Sequence, residues 1–70
     1  MYTYHEEDFT WLTPERIAQN YKEARIRSGL TQRKLAEKIG VKPNQVSRWE
    51  NAKARPTVEN FKKIVEVLTL

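Results

Sequence analysis

Seventy residues with a net charge of +4, no cysteine and a single histidine allow one small domain, and they exclude a disulfide-linked fold and a Cys/His metal site. The charge is unevenly distributed, because residues 1 to 15 carry four acidic residues and no lysine or arginine, while the other 55 carry thirteen lysine and arginine residues and five acidic ones. A small domain this rich in basic residues indicates a polyanionic partner, with a surface charged only for solubility as the alternative.

Residues 1 to 12, MYTYHEEDFTWL, are acidic and aromatic and predict an N-terminal arm ahead of a domain of residues 13 to 70. The four aromatic side chains fall on no single period. Because such side chains are unfavourable in water, we expect the arm to pack on the helical body or on another subunit. His5 is interpreted as an exposed arm residue, since no second metal ligand stands near it.

The first helix is predicted to begin after Thr13, which can cap it, with Pro14 at the first helical position and Glu15 facing the positive end of the helix dipole. Gly29 follows its last turn, where a left-handed residue commonly ends a helix. The side chains expected on its buried face are Ile17, Tyr21, Ala24 and Ser28.

Two short helices are predicted next, separated by a turn at Gly40. The first follows the capping residue Thr31 and covers residues 32 to 39, and the second opens with Pro43 and runs to about Asn51. Trp49 is interpreted as a core residue and not as a platform for base stacking. The apolar positions that recur at helical spacing on both sides of the turn are Leu35, Ala36, Ile39, Val41, Val46 and Trp49.

A basic connection, AKARP, precedes a fourth helix that Thr57 is expected to cap. The sequence ends on the apolar phrase VEVLTL with no polar cap, so we expect either that the native protein continues or that this end meets a partner. The predicted buried stripe of this helix is Val58, Phe61, Ile64, Val65 and Leu68.

The segment GLTQRKLAEKIGV, followed by VSRWEN and a basic residue before proline, resembles the helix-turn-helix family of the Xre and lambda-repressor type. The similarity extends from Arg25 to about Leu68 and holds in register across both short helices and the loop that follows. The resemblance implies an all-α fold, a compact lambda-repressor-like DNA-binding domain of four to five helices that contains a helix-turn-helix and carries the N-terminal arm.

In helix-turn-helix proteins the second helix of the motif lies in the major groove and its N-terminal residues contact base edges. The resemblance therefore implies that Asn44, Gln45 and Arg48 contact bases, with Ser47 beside them. Amide side chains suit adenine, and a guanidinium suits guanine. Pro43 has no donor and could offer only an apolar contact, so it is a weaker candidate.

The family also contacts the sugar-phosphate strand, from the start of the first motif helix and from the loop after the second. The corresponding residues here are Gln32, Asn51, Lys53 and Arg55. Gln32 can also brace a side chain on the second helix, and Asn51 could merely cap the end of that helix. Weaker candidates, because any solvated basic residue looks the same in a sequence, are Arg33, Lys34 and Lys42.

Arg25 and Glu50 resemble a paired arginine and glutamate that join the first helix to the end of the second motif helix in this family, and we interpret them as structural. The alternative is two unpaired surface charges. The sequence departs from the family at Lys42, where a small hydroxyl cap is common, and at Ala52, where a glycine is common. The second departure puts a Cβ where a positive φ is often adopted, so we expect either that the following loop differs in shape or that the helix continues by one residue.

These features predict sequence-specific binding of double-stranded DNA in the major groove by a transcriptional regulator of bacterial or phage type, with repression the expected mode. We expect a homodimer, at least on DNA, in the cytoplasm with the nucleoid, and no membrane association. No catalysis, cofactor or metal is expected, because the sequence lacks a nucleophile beside a base, clustered carboxylates and a glycine-rich phosphate loop.

The alternative is a protein-interaction module, such as the antitoxin of a toxin-antitoxin pair or a phage accessory protein, in which DNA binding is secondary. The acidic aromatic arm favours this alternative, and either the arm or the last helix would bind the protein partner. The seventy residues could also be the DNA-binding end of a longer protein.

Overall fold

The computed structural model describes residues 13 to 68, which form four α-helices: α1 (Pro14–Arg27), α2 (Gln32–Ile39), α3 (Pro43–Glu50) and α4 (Val58–Leu68). Within these residues there is no strand, which confirms the predicted all-α class. None of the described helices is long and apolar enough to span a membrane. The predictions for residues 1 to 12, including His5, and for the end of the chain lie outside the described residues.

Three of the helices begin at a threonine whose side chain caps the helix, as the sequence predicts. The hydroxyls of Thr13, Thr31 and Thr57 each accept a hydrogen bond from the backbone N–H three residues further on, at 3.1, 3.0 and 3.1 Å. Such a bond satisfies one of the donors that a helix start leaves unpaired. α3 differs, because its cap residue Lys42 makes no side-chain capping bond, although like α1 it begins with a proline.

The turn between α2 and α3 depends on Gly40, which has a φ of +88°. Its N–H and that of Val41 both donate to the carbonyl oxygen of Ala36, at 2.8 and 3.0 Å, and thereby close the end of α2. A Cβ at Gly40 would meet no atom within 4 Å. Glycine is therefore favoured at position 40 because the backbone is left-handed, and not because a side chain would be crowded there.

The core lies where the two short helices meet α1 and α4. α3 packs on α2 and on α1, and α2 also packs on α4. Burial of these apolar side chains is the main stabilising contribution, because isolated helices of eight residues are not stable in water. The buried cluster consists of Ala24, Leu35, Ala36, Ile39, Val46, Trp49, Ile64 and Leu68.

The predicted stripe of α4 is wrong at its first turn. Val58 is 74% exposed and Phe61 is 42% exposed, whereas Ile64 and Leu68 are buried and Val65 is half-buried. At about 100° per residue, Phe61 stands about 60° from Ile64 around the helix axis and Val58 about 120° from it. The face that meets the core is therefore narrower than the predicted stripe.

The predicted inner face of α1 needs a smaller correction. Ala18 and Ala24 are its buried residues, Ile17 and Tyr21 are half-buried, and Ser28 is exposed. Ser28 is wrong as an inner residue because it is the C-cap of the helix, and its hydroxyl donates to the carbonyl oxygen of Ala24 at 2.9 Å. Gly29 follows it with the expected left-handed backbone, at φ +72°.

Candidate nucleic-acid interface

α3 has one side fixed in the core and the other open to solvent. Val46 and Trp49 are 1% and 4% exposed and anchor the helix. Asn44, Gln45 and Arg48, the residues expected to contact bases, are all exposed. This division follows from the sequence, because residues three apart share a helix face while their neighbours point elsewhere.

Ser47 is half-buried and already has a partner at the end of the helix. The side-chain amide of Asn51 donates to the carbonyl oxygen of Ser47 at 2.8 Å and to its hydroxyl at 3.3 Å. Asn51 thus caps the end of α3, which is the simpler of the two roles that the sequence left open. Its amide would have to be shared with, or released to, any phosphate.

A buried ion pair joins α1 to the end of α3. The Arg25 Nε donates to the Glu50 Oε2 at 2.7 Å and its Nη2 donates to the Oε1 at 3.1 Å, with side-chain exposures of 12% and 3%. The remaining Nη1 donates to the carbonyl oxygen of Leu30 at 2.7 Å. Arg25 therefore also fixes the chain that enters α2, and a two-bond pair of this kind holds both side chains in one orientation.

Gln32, at the start of α2, completes this network. Its Nε2 donates to the Glu50 Oε1 at 3.1 Å, so α2 braces the same carboxylate that binds α1. A primary amide has two N–H donors, and this contact uses one of them. The half-buried Gln32 side chain is thus held at the start of α2 by a residue of α3.

The loop after α3 begins with a left-handed residue. Ala52 has a φ of +58°, and the N–H of Lys53 then donates to the carbonyl oxygen of Arg48 at 2.9 Å. The backbone thus turns where the family often has glycine, although a Cβ is present. Lys53 and Arg55 are both exposed.

The weaker candidates lie at the two helix starts. Arg33 and Lys34 are exposed in the first turn of α2, and Lys42 and Pro43 are exposed at the start of α3. The Lys34 Nζ lies 3.6 Å from a carboxylate oxygen of Glu37, and both side chains are about 60% exposed, so this pair contributes little to stability.

One feature of the surface was missed from the sequence. An apolar groove of about 230 Å³ runs between the first half of α1, the loop after α3 and the first turn of α4. Tyr21 and Phe61 form part of it, with ring centroids 6.3 Å apart in an edge-to-face arrangement. Burial raises the pKa of the Tyr21 phenol, and the positive charge of Arg55 acts in the opposite direction. The groove exists because Val58 and Phe61 do not face the core.

Among residues 13 to 68 there is no group of three or more histidine, aspartate or glutamate side chains that could hold a metal ion. The exposed side of α3 offers side chains that can hydrogen-bond, together with the charge of Arg48. Exposed amide and guanidinium groups on α3, flanked by basic residues, form a surface suited to nucleic acid.

Comparison with known proteins agrees with this geometry. Residues 22–70 match the family model described as helix-turn-helix. Since the match covers well over half of the chain, the protein belongs to the helix-turn-helix family of the Xre and lambda-repressor type, with α2 and α3 as the motif. This is a family of DNA-binding domains, typically without catalytic activity.

Two curated relatives are similar to most of the chain, and both are named antitoxin HipB. The protein from Escherichia coli strain K12 is 38% identical over 58 residues, which cover 83% of this chain and 66% of the relative. The one from Escherichia coli O6:H1, strain CFT073, is 36% identical over 58 residues, covering 83% of this chain and 62% of the relative. The match thus spans slightly less than two thirds of either relative.

Proposed function

We propose that this protein binds double-stranded DNA sequence-specifically, with α3 in the major groove, and regulates transcription, with repression the expected mode. The observation that carries the proposal is the division of α3 into a buried side and a polar exposed side. The helix is anchored in the core by Val46 and Trp49. Its exposed side carries Asn44, Gln45 and Arg48. A rigid helix that presents such groups can enter the major groove of B-form DNA.

The base contacts are assigned to the exposed side of α3. Asn44 and Gln45 can each make two hydrogen bonds to adenine, and Arg48 can make two to guanine. Ser47 contributes less, because its hydroxyl already accepts from Asn51. Each good two-bond contact supplies about 1 to 3 kcal/mol of discrimination against the wrong base.

The phosphate contacts are assigned to the residues around α3. Gln32 would bind a phosphate through the second N–H of its amide, while Glu50 holds the first. Lys53 and Arg55 lie exposed in the loop after α3 and supply charge. Asn51 would join them only by sharing its amide. Lesser contributions are assigned to the exposed residues Arg33, Lys34, Lys42 and Pro43.

A dimer is part of this proposal and is supported by the short length of α3, the helix assigned to the base contacts. Eight residues extend about 12 Å, which corresponds to roughly three or four base pairs at 3.4 Å each. A contact with so few base pairs is too short to distinguish one DNA site from many others. Two subunits on half-sites about 34 to 36 Å apart, one helical turn, would double the sequence that is recognised.

The experiment is selection of binding sites from a random duplex library, followed by a salt titration on the best recovered site. We expect an enriched sequence with two-fold symmetry and an affinity that falls linearly on a plot of log K against log salt. Recovery of no preferred sequence would contradict specific recognition. Failure to bind any duplex at low salt would contradict DNA binding altogether.

A second function is favoured by the name of the two relatives, since each is an antitoxin. We propose as the alternative that this chain, or a longer protein containing it, neutralises a toxin encoded beside it, with DNA binding secondary. The test is co-expression with the neighbouring gene product in growing cells. Rescue of growth by the wild type and equally by Arg48→Ala would support neutralisation independent of base recognition, and no rescue would count against it.

A further inference from the structure

The apolar groove is smaller than a typical small-molecule site. Its volume of about 230 Å³ lies below the roughly 300 to 1,000 Å³ of typical small-molecule sites. The wall is formed largely by apolar and aromatic residues, among them Pro14, Ile17, Tyr21, Val58 and Phe61. Arg55 is the charged residue of the lining.

Two of these wall residues are exposed to an extent that is unfavourable for large apolar side chains. Val58 is 74% exposed and Phe61 is 42% exposed. A third exposed residue of this kind, Ile26, lies outside the groove. Adjacent exposed apolar side chains rimmed by a charge are typical of a surface that binds another segment of protein.

The position of the chain itself indicates the occupant. Thr13 has an extended backbone, with φ −79° and ψ 158°, and the next residue, Pro14, is part of the groove wall. The chain before Thr13 is therefore covalently attached next to the groove wall. At up to about 3.3 to 3.6 Å per residue, Trp11 lies within about 10 Å of Pro14 along the chain and Phe9 within about 17 Å.

The composition of residues 1 to 12 complements the groove in both hydrophobicity and charge. Phe9 and Trp11 supply large apolar side chains, and the run Glu6, Glu7 and Asp8 supplies three negative charges with no lysine or arginine among the twelve. The groove offers an apolar wall and the guanidinium of Arg55. Opposite charges at such a contact favour association and fix its direction.

We propose that residues 1 to 12 dock in the groove of their own chain, with Phe9 and Trp11 against Tyr21 and Phe61 and with the acidic run toward Arg55. The division of the chain into an arm of residues 1 to 12 and a domain of residues 13 to 70 is part of this proposal. It rests on the described groove and does not depend on DNA binding.

One consequence does depend on the proposed function. Arg55 is assigned there to a DNA phosphate, so the docked carboxylates and the phosphate would compete for the same guanidinium. The arm would then lower the affinity for DNA, and bound DNA would displace the arm.

The absence of cysteine from the chain allows a clean test. A nitroxide label on the single thiol of His5→Cys broadens amide signals near it in a ¹H–¹⁵N spectrum of the full chain. We expect strong loss of intensity at Tyr21 and Phe61 and much less at Ser28 and Leu30. These reference residues lie at or beyond the C-terminal end of α1, and Ser28 is about 10 Å further along the helix axis than Tyr21.

The matched pair of control variants is Val58→Asp and Ile26→Asp. Both replace an exposed apolar residue, but only Val58 lines the groove and would face the acidic run. We expect Val58→Asp to restore the intensities at Tyr21 and Phe61 and Ile26→Asp to leave them reduced. Uniform broadening, or equal behaviour of the two variants, would overturn the proposal.

A mixed sample tests whether the docked segment belongs to the same chain or to a second copy. One set of chains carries the nitroxide but no ¹⁵N, and the other carries ¹⁵N but no nitroxide. Docking within one chain gives no broadening in the mixed sample. Broadening that appears there would assign the groove to a second copy and overturn the proposal as stated.

DNA is added last, so that a failure of docking and a failure of DNA binding are read separately. In a sample whose duplex is shown to be bound, recovery of the Tyr21 and Phe61 signals is expected from competition at Arg55. Signals that stay broadened in that sample would overturn the competition.

Discussion

Arg25 and Glu50 meet through two hydrogen bonds, of 2.7 and 3.1 Å, across the junction of α1 and α3. Because Gln32 donates to the same carboxylate at 3.1 Å, Glu50 links α3 to both α1 and α2. Breaking such a buried pair leaves a charge without its partner in a poorly solvated place. The orientation of α3 relative to the rest of the domain therefore depends on Glu50.

Replacement of Glu50 by alanine is expected to reduce the free energy of unfolding by about 3 to 5 kcal/mol. Urea denaturation followed by circular dichroism measures this loss. The matched control is Glu37→Ala, which removes a carboxylate whose ion pair with Lys34 is about 60% exposed on both sides. That change should cost less than about 1 kcal/mol. Equal effects of the two substitutions would contradict the importance of the Arg25 contact.

The cap of α3 is a site where stability can be gained. Lys42 has the extended backbone of a cap residue, with ψ 148°, but makes no side-chain capping bond. In Lys42→Ser the hydroxyl can accept from the backbone of the first turn, and we expect a gain of about 1 kcal/mol in the free energy of unfolding. Thermal or urea denaturation provides the measurement.

Thr31→Ala is the control for this prediction, because it removes the capping bond that α2 already has. It should destabilise the domain by about 1 kcal/mol, the opposite sign to Lys42→Ser. If Lys42→Ser is no more stable than the wild type, the backbone N–H groups at the start of α3 already have other hydrogen-bond partners.

Ala52 carries backbone strain that glycine would relieve. A left-handed conformation costs an L-residue about 1 to 2 kcal/mol, and Ala52 has a φ of +58°. Glycine also gains freedom in the unfolded chain, which offsets part of this relief. We therefore expect Ala52→Gly to stabilise by at most about 1 kcal/mol.

The control for Ala52→Gly is Ala54→Gly, in the same loop. Among the described residues other than glycine only Ala52 has a positive φ, so a glycine at position 54 relieves no such strain. Ala54 also packs against the core cluster. Ala54→Gly should therefore destabilise, and changes of opposite sign in the melting temperatures of the two variants would indicate strain at Ala52. A loss of stability in both would contradict it.

Most of the helix boundaries could be predicted because their signals are local. Thr13, Thr31 and Thr57 cap their own helices, and Gly40 ends α2 through its own φ. Each of these features needs only the few residues around it. The buried side of α3 was equally predictable, since Val46 and Trp49 are its large apolar residues.

The surface of α4 could not be predicted in the same way. Val58 and Phe61 continue an apolar pattern in the sequence, but whether they are covered depends on how far α1 and the loop after α3 extend over them. That is a property of tertiary packing. The sequence predicted a bracing role for Gln32 and, as one of two roles, a helix cap for Asn51, but the partner of Gln32, Glu50, is seen only in the structure.

The identity of the residues that contact bases was inferred from a resemblance, and it stays a prediction. On the duplex recovered by selection, Arg48→Ala is expected to lose about 1 to 3 kcal/mol of binding free energy, with little change on a scrambled duplex. Fluorescence anisotropy with both duplexes measures the two affinities. Similar losses on the two duplexes would instead assign Arg48 to a phosphate.

Lys53→Ala should behave differently, because a phosphate contact carries no sequence information. It is expected to weaken the selected and the scrambled duplex alike and to reduce the slope of log K against log salt by about one unit. Lys62→Ala, which removes the same charge from an exposed position on α4, is the control and should leave the slope close to that of the wild type. If Lys62→Ala and Lys53→Ala reduce the slope equally, the effect comes from net charge, and the loop after α3 makes no particular contact with the DNA strand.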